Sequence, residues 1–460
     1  MGGMKKFVKR VKKRIPWLEH VIEDAPTARE FSGAAQRPGG LGDVMCILCR
    51  GAKMLCGRRV CPVVARLFLR AKRAARRELE VYGSSPPDIF VGRFGYPYVS
   101  IGPLAPPYRG DTELLALTER WPEAFATVEE VVDARLQLIR GTFRADVRSA
   151  EKPDRLLELT QELALSRRPA DVEMELLREP RPPRALTPEA KLMGASAPLA
   201  SLGVEPAGSD RLLERVVSDD DLRARDAILE LHAGGVPVSR IERVFSVGLL
   251  GLRGQRRLVP TRWSITAVDS IVSMTLRDSV LKRCELIDEF RVYKFDVLGN
   301  RFVVLMFPER WSYEFIEAWW PSTPWNPHAS GISICGDYER YKGRTSYASI
   351  GGCYYACRLA VTEYLARERK QAKVLVVRES YPEYTLPLGV WLVREAVRRA
   401  LRSGFVKFDS LGEALEHFSA LLKIRLGTWI QVSELLREAL VQRRIEDFIG
   451  ASGGRREAAM

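Results

Sequence analysis

The strongest constraint on the fold of this 460-residue chain is the stretch between residues 289 and 308, EFRVYKFDVLGNRFVVLMFP. Two runs of β-branched and aromatic residues flank the turn-forming segment Leu298-Gly299-Asn300, and this pattern predicts a β-hairpin. Farther along, KVLVVRES predicts a buried strand, LGVWLVREAVRRAL a helix and VKFDSL a short strand. Alternating strands and helices predict an α+β (mixed α/β) fold, with a mixed sheet covered by helices in the C-terminal half. The N-terminal half is predicted to contain a four-cysteine zinc knuckle and a helical region.

Four of the eight cysteines lie close together as Cys46-x2-Cys49-x6-Cys56-x4-Cys61. A gap of two residues lets two sulfur atoms on one turn reach the same ion, and structural zinc prefers four thiolate or imidazole ligands. Gly51 and Gly57 follow two of the cysteines, where tight turns need a permissive backbone. The pattern favours a structural Zn²⁺ site in a cysteine knuckle; an iron–sulfur cluster and free thiols are the alternatives.

The N-terminus has no apolar export segment, and the stretch from Lys5 to Arg14 is mostly basic. A secreted disulfide framework is therefore not expected, and clustered cysteines in a reducing compartment are more often metal ligands. We expect a cytoplasmic, nucleoid-associated protein. No apolar run reaches the roughly 20 residues needed to cross a bilayer, so no membrane partner is expected.

Changes in composition along the chain predict its division into parts, because the chain is too long for one ordinary domain. The predicted parts are a basic arm and linker at 1–40, a zinc-knuckle-containing N-terminal domain at 41–255, a C-terminal α/β domain at 256–438 and a tail at 439–460. Residues 62–82 predict a helix, and a further helix is predicted from about Val268. Residues 178–210, rich in Pro, Ala, Gly and Ser, predict a long surface connection.

The charge balance favours a polyanionic partner, since 72 Lys and Arg residues against 58 Asp and Glu residues leave a net charge of +14. Charge alone does not choose between DNA, RNA and an acidic surface. Basic side chains in and after the cysteine cluster are the predicted phosphate contacts: Arg58, Arg59, Arg66, Arg70, Arg73 and Arg77.

Three segments in the same order resemble the archaeal Nre family of DNA-repair proteins. They are MCILCRGAKMLCGRRVCP around the cysteines, VPTRWSITAVDS at 259–270 and GRTSYASIGGCYYACRLAVTEYL at 343–365. The resemblance implies a role in DNA repair and association with a replication sliding clamp of the PCNA type. It does not settle whether the protein is an enzyme.

The C-terminal tail contains a segment similar to a sliding-clamp-binding box. Gln442 is followed by an aliphatic residue three positions on, Ile445, and by Phe448 and Ile449. One helical turn would bring the apolar side chains together as a plug for a hydrophobic pocket. Ile449 departs from the pattern, which usually has an aromatic residue there, and this departure should weaken the plug. The alternative is an ordinary amphipathic helix packed on the core.

Two polar segments are candidates for chemistry. One contains Arg262 and Asp269, and the other contains Asp337, Glu339 and Arg344 and ends at Gly351-Gly352 before a predicted helix. Arginines beside a glycine-led helix N-terminus can hold phosphate, and the carboxylates could hold a divalent metal. This leaves open a metal-dependent nuclease or nucleotide-processing enzyme. Arginine–carboxylate pairs are also common as structural ion pairs, and no established catalytic motif is complete here.

A dense group of aromatic residues has two possible meanings. Its members are Trp311, Tyr313, Phe315, Trp319, Trp320 and Trp325. Bases could stack on such a platform, which together with the basic charge would also suit a zinc-stabilised RNA-binding protein. A buried aromatic core is the favoured interpretation. Cys353 and Cys357, four residues apart on an apolar helix, are likewise predicted to be core residues.

Overall fold

The computed structural model describes residues 79–182, 189–327 and 330–441, together with residues 46, 49–51, 53, 55–58, 61–63 and 65 near the N-terminus. In these ranges the strands are β1 (Glu80–Ser85), β2 (Asp88–Val91), β3 (Tyr98–Ala105), β4 (Ile139–Asp146), β5 (Ala170–Leu176), β6 (Ser196–Glu205), β7 (Glu285–Leu286), β8 (Phe290–Val297), β9 (Asn300–Phe307), β10 (Ser312–Trp319), β11 (Ser333–Glu339), β12 (Lys370–Gln371), β13 (Lys373–Ser380) and β14 (Val406–Phe408).

The α-helices of the same ranges are Trp121–Ala124, Val128–Leu136, Arg155–Leu165, Arg211–Ser218, Ala224–Ala233, Val238–Ser246, Thr261–Thr275, Gly352–Glu368, Trp391–Arg402, Leu411–Ala420, Leu426–Val432 and Glu434–Val441. No helix in the described part of the chain is both long and apolar enough to cross a membrane. Helices and mixed sheets together confirm the predicted α+β class.

The strands form two six-stranded sheets, one from each half of the chain. The first has the order β1-β5-β6-β4-β3-β2, and only its β4–β6 pair is parallel. In β5, buried residues such as Val172 and Met174 alternate with the exposed Glu173 and Glu175. This period of two places one face of the strand against a core of helices and the other toward solvent.

The second sheet has the order β11-β10-β13-β9-β8-β14, with β10 and β13 parallel and the other neighbours antiparallel. It is covered on both faces, because alternate residues of β9 enter different cores. Phe302 and Val304 pack with the helix Gly352–Glu368, whereas Val303 and Leu305 pack with the last three helices. The predicted mixed sheet covered by helices is confirmed.

The predicted β-hairpin is confirmed as β8 and β9 with a tight turn between them. Leu298 and Gly299 have φ angles of 48° and 71°. Two successive positive φ angles are the mark of a type I′ turn, whose twist matches the twist of the flanking strands. The predicted buried strand, helix and short strand that follow are also present, as β13, Trp391–Arg402 and β14.

Three predictions of local structure are wrong. The supposed surface connection at 178–210 contains β6, a strand inside the first sheet. Its small residues have little strand propensity, but they permit close packing, as where Leu199 lies against Gly141. The helix predicted to reach Tyr82 cannot do so, because β1 begins at Glu80. The helix predicted from Val268 begins earlier, at Thr261 after Pro260.

Candidate functional site

The structure brings the two predicted polar segments together at the N-terminus of the helix Gly352–Glu368. Gly351 precedes this helix with a φ of 71°, a value that favours glycine. Glu189 packs against the glycines, since a Cβ atom added to Gly352 would lie 2.8 Å from Glu189 Cγ. Arg262 forms a fork with the same carboxylate, Nε to Oε2 and Nη2 to Oε1 both at 2.7 Å. A carboxylate of the chain itself therefore lies at the predicted phosphate cradle.

Asp337 and Arg344 lie together on the other side of this junction. Arg344 Nη2 donates to Asp337 Oδ2 at 2.9 Å, and the Ser349 N–H donates to the same oxygen at 2.6 Å. Burial alone would raise the pKa of Asp337, but the hydrogen bonds from Arg344 and Ser349 outweigh it and lower the pKa. The pair holds the 337–349 segment in place and stays ionised at neutral pH.

Glu339, two residues farther along β11, points into a different and fully buried environment. Its carboxylate accepts hydrogen bonds from Arg358 at 2.6 Å and from Arg277 at 3.0 Å. Trp311 and Tyr354 donate to it as well, at 3.1 and 3.2 Å. Burial raises the pKa of Glu339, but the charges and hydrogen bonds of the two arginines lower it more, so the net effect is a lowered pKa. Four donors saturate this carboxylate.

Asp269 lies in a third environment, with Arg394. Arg394 Nη1 donates to Asp269 Oδ1 at 2.6 Å and to Glu242 Oε1 at 2.7 Å, so two buried carboxylates share one guanidinium. Asp269, Asp337 and Glu339 thus pair with different arginines and do not meet at one site. Within the described ranges, no three or more His, Cys, Asp or Glu side chains are grouped to hold a metal ion. A catalytic role for these residues stays a prediction.

The predicted cysteine knuckle is described at its four cysteines and at several residues between them. Gly51 and Gly57 have φ angles of 68° and 69°, as expected for tight turns. Burial, followed by the neighbouring Cys61, Cys49 and Cys56, raises the pKa of the Cys46 thiol. The four described cysteines do not form a group of three or more metal ligands, so Zn²⁺ binding by them stays a prediction from their spacing.

Arg50 connects this knuckle with the C-terminal half. Its Nη2 lies 3.6 Å from Glu317 Oε2, a carboxylate of β10 that is fully buried. Its Nη1 lies 4.0 Å from Cys353 Sγ at the start of the helix Gly352–Glu368. The knuckle is therefore part of the main body and lies near the junction of the two polar segments.

Sequence reasoning missed a group of exposed aromatic side chains at the same junction. Phe94 and Tyr96 stand at the tip of the β2–β3 hairpin, and Trp263 and Tyr347 belong to the two polar segments. The rings of Tyr96 and Trp263 are 5.5 Å apart, centroid to centroid. The signal lay in GRFGYP, where aromatic residues alternate with glycine and proline in a turn too short to bury them.

The dense group of aromatic residues from Trp311 to Trp325 belongs mostly to the core. Trp311, Tyr313, Phe315, Trp319 and Trp325 are all buried around the helix Gly352–Glu368. Trp320 is partly buried on the other face of the sheet. The core interpretation is confirmed for this group, and Cys357 is buried with it.

Several predicted residues lie outside the described part of the chain. They are the basic residues Arg59, Arg66, Arg70, Arg73 and Arg77 and the clamp-box residues Gln442, Ile445, Phe448 and Ile449. Arg58 is described and exposed. Their proposed contacts stay predictions.

The geometry defines an α+β protein with two mixed sheets, the second of which is contacted by Arg50 from the cysteine-containing segment. Two family models match the chain, one described as Archaeal Nre, N-terminal, over residues 55–326, and one as Archaeal Nre, C-terminal, over residues 339–448. The chain belongs to the archaeal Nre family. No solved structure matches it.

Named relatives cover most of the chain. DNA repair protein NreB of Archaeoglobus fulgidus is 40% identical over 405 residues, which span 88% of this chain and 100% of the relative. DNA repair protein NreA of the same organism is 36% identical over 385 residues, 81% of this chain and 92% of the relative. DNA repair protein NreA of Haloferax volcanii is 35% identical over 361 residues, 75% of this chain and 84% of the relative.

Proposed function

We propose that this protein is a DNA repair protein that binds DNA and the replication sliding clamp and contains a structural zinc ion. The observation that carries the proposal is the similarity to DNA repair protein NreB, which extends over the whole of that relative. Loss of a repair factor should make cells sensitive to DNA damage. Deletion of the gene without any change in survival after damage would contradict the proposal.

DNA binding is supported by the positive charge of the chain and by its distribution. Arg93 and Arg144 lie beside the exposed aromatic residues of the β2–β3 hairpin. Guanidinium groups beside exposed rings suit a nucleic-acid backbone with accessible bases. The net charge of +14 adds a general attraction to polyanions.

Zinc binding is supported by the donor set of the cysteine knuckle. Four cysteines spaced Cys46-x2-Cys49-x6-Cys56-x4-Cys61, with positive φ at Gly51 and Gly57 in the turns, match the ligand number and spacing of a closed tetrahedral site. Bound there, zinc would hold the knuckle together as a structural ion. Metal analysis of the purified chain tests this: about one zinc per chain is expected, whereas iron with sulfide would favour the cluster alternative.

Clamp binding is supported by the spacing of the tail residues. The last described helix, Glu434–Val441, packs Leu436 and Leu440 into the second sheet's outer core. The box begins at the next residue, Gln442, and a Gly- and Ser-containing tail follows it. A tether of this kind raises the local concentration of the protein at the clamp without requiring tight DNA binding.

The clamp experiment compares three full-length proteins by surface plasmon resonance on the organism's own clamp. Wild type is expected to bind, and a Gln442→Ala, Ile445→Ala, Phe448→Ala triple variant is expected to lose binding. An Arg443→Ala, Glu446→Ala variant changes the same segment outside the box and is expected to bind normally. Absence of wild-type binding would remove the clamp from the proposal, and equal binding by the triple variant would remove the box.

A further inference from the structure

Four large aromatic side chains are exposed on one surface at the junction of the two polar segments. The exposed fractions are 68% for Phe94, 53% for Tyr96, 45% for Trp263 and 58% for Tyr347. With Arg93 and Arg144 they form what we call the aromatic surface. Large apolar side chains that cluster outside the core mark a site of interaction, because burying them inside would otherwise be favourable.

The rings of this surface are held in place by the fold. Gly92 N–H donates to Ser100 O at 2.7 Å and Tyr98 N–H to Gly95 O at 2.9 Å, which closes the tip of the β2–β3 hairpin. Trp263 lies in the first turn of the helix Thr261–Thr275, and its ring contacts the ring of Tyr96. A platform that is already ordered loses little conformational entropy when a ligand stacks on it.

Positive charge borders these rings. The Arg93 guanidinium lies 4.8 Å from the centroid of the Phe94 ring. A Cβ atom added to Gly95 would lie 2.7 Å from Arg144 Nη2, so Arg144 packs directly under the hairpin tip. Partial burial and the nearby Arg262 charge lower the pKa of Arg93, and the Glu189 carboxylate, which pairs with Arg262, partly opposes this lowering. Arg93 and Arg144 therefore place positive charge beside the exposed rings.

We propose that the aromatic surface binds single-stranded DNA, with unpaired bases stacking on Phe94, Tyr96 and Trp263 and phosphates contacting Arg93 and Arg144. This inference rests on the proposed DNA-binding function and specifies the form of DNA. Within a duplex the faces of the bases are covered by their neighbours, so exposed rings can stack only on bases that have left the helix. The surface therefore selects DNA with an unpaired segment.

The chain provides a matched control for this surface. Tyr82 on β1 is also half exposed, but its hydroxyl lies 3.4 Å from Glu80 Oε2 and interacts with Glu173 and Glu175. An aromatic ring among carboxylates should repel phosphates. Tyr82→Ala thus removes an exposed ring of the same kind from an acidic part of the first sheet.

The test is fluorescence anisotropy with the full-length protein and a labelled single strand, the matching duplex and an RNA of the same sequence. Wild type is expected to bind the single-stranded DNA most tightly. Phe94→Ala and Trp263→Ala should each weaken that binding about tenfold and leave duplex binding unchanged. Trp263→Phe, which keeps a ring, should retain most of the affinity, and Tyr82→Ala should have no effect. Unchanged thermal unfolding of the variants shows that they are folded.

Contradictory results separate this inference from the proposed function. Wild-type preference for duplex, or single-strand binding that survives the Phe94→Ala, Trp263→Ala double variant, would overturn the inference and leave DNA binding in place. Tighter binding of the RNA would overturn the assignment to DNA. Absence of binding to every nucleic acid would overturn both the inference and the DNA-binding part of the proposed function.

Discussion

At the scale of single residues, the main polar contacts inside this protein are those between buried carboxylates and arginines. Glu339 has two arginines and two further donors, whereas Glu242 and Asp269 share the single guanidinium of Arg394. A buried charge without its partner is costly, so these clusters restrict substitution more strongly than exposed pairs do. They also explain why the predicted catalytic carboxylates are not gathered as a metal site: each already has a structural partner.

The pair that shares Arg394 is expected to hold a proton near neutral pH. Burial raises the pKa of Glu242 to about 7, which Arg394 opposes and the Asp269 charge reinforces. The folded chain thus binds this proton more tightly than the unfolded chain, whose glutamate pKa is about 4.3. The resulting stabilisation is complete below about pH 4.3 and is lost as the pH rises through about 7.

Glu242→Gln tests this, because Gln mimics the protonated carboxyl group. Between pH 5 and pH 8 the free energy of unfolding of wild type should fall by about 1–3 kcal/mol more than that of the variant. Urea unfolding at both pH values measures the difference. Identical pH dependence of the two proteins would mean that Glu242 is ionised in the folded chain.

At the scale of secondary-structure elements, the turn between β8 and β9 determines how the two strands pair. This turn needs two successive positive φ angles, at Leu298 and Gly299. There is also no space for a side chain at Gly299, because an added Cβ atom would lie 2.5 Å from the Tyr384 N atom. The hairpin therefore needs glycine for its backbone conformation and for the close approach of the 383–384 segment.

Gly299→Ala is expected to destabilise the fold by more than the cost of a positive φ angle alone, because the added Cβ atom also clashes with the 383–384 segment. Gly404→Ala is the matched control, because Gly404 has a φ of 93° but no atom near the position of a Cβ. We expect a loss of about 1 kcal/mol for Gly404→Ala and at least about 2 kcal/mol more for Gly299→Ala. Urea unfolding measures both. Equal losses would show that the 383–384 segment moves aside at little cost.

At the scale of the whole molecule, the two sheets are joined by shared cores. Val268 and Val272, from the helix Thr261–Thr275, pack in the core of the first sheet. A smaller core joins Phe90 of β2 with Ala356 and Val390 from the C-terminal half. The core of the first sheet is therefore complete only when residues beyond position 255 are included.

A fragment ending at residue 255 is expected to be poorly folded, because it lacks Val268 and Val272. A fragment ending at residue 283 restores the helix Thr261–Thr275 and should resist protease better. Limited proteolysis and circular dichroism of both fragments and the full chain provide the comparison. If the shorter fragment proved as resistant as the longer one, the first sheet would be an independent domain with the predicted boundary at 255.

Much of the candidate site was visible in the sequence as residue types, but not as contacts. The polar segments around Arg262 and Arg344 were recognised, and the structure does bring them together. Their partners were not predictable, because Glu189 and Arg262 are 73 residues apart and Asp269 and Arg394 are 125 apart. Long-range pairing depends on how the elements pack, and no local pattern encodes it.

The sequence by itself determined what depends on neighbouring residues. Apolar runs specified β8, β9 and β13, and the Leu298-Gly299 dipeptide specified the turn between β8 and β9. Both signals are local, because side-chain alternation and positive φ depend on neighbouring residues. Only the tertiary structure decided that β6 is a strand and that Phe94, Tyr96 and Trp263 are exposed, with Tyr96 and Trp263 in contact. Small residues become a strand when neighbours pair with them, and an aromatic ring is buried only where other elements leave it a place.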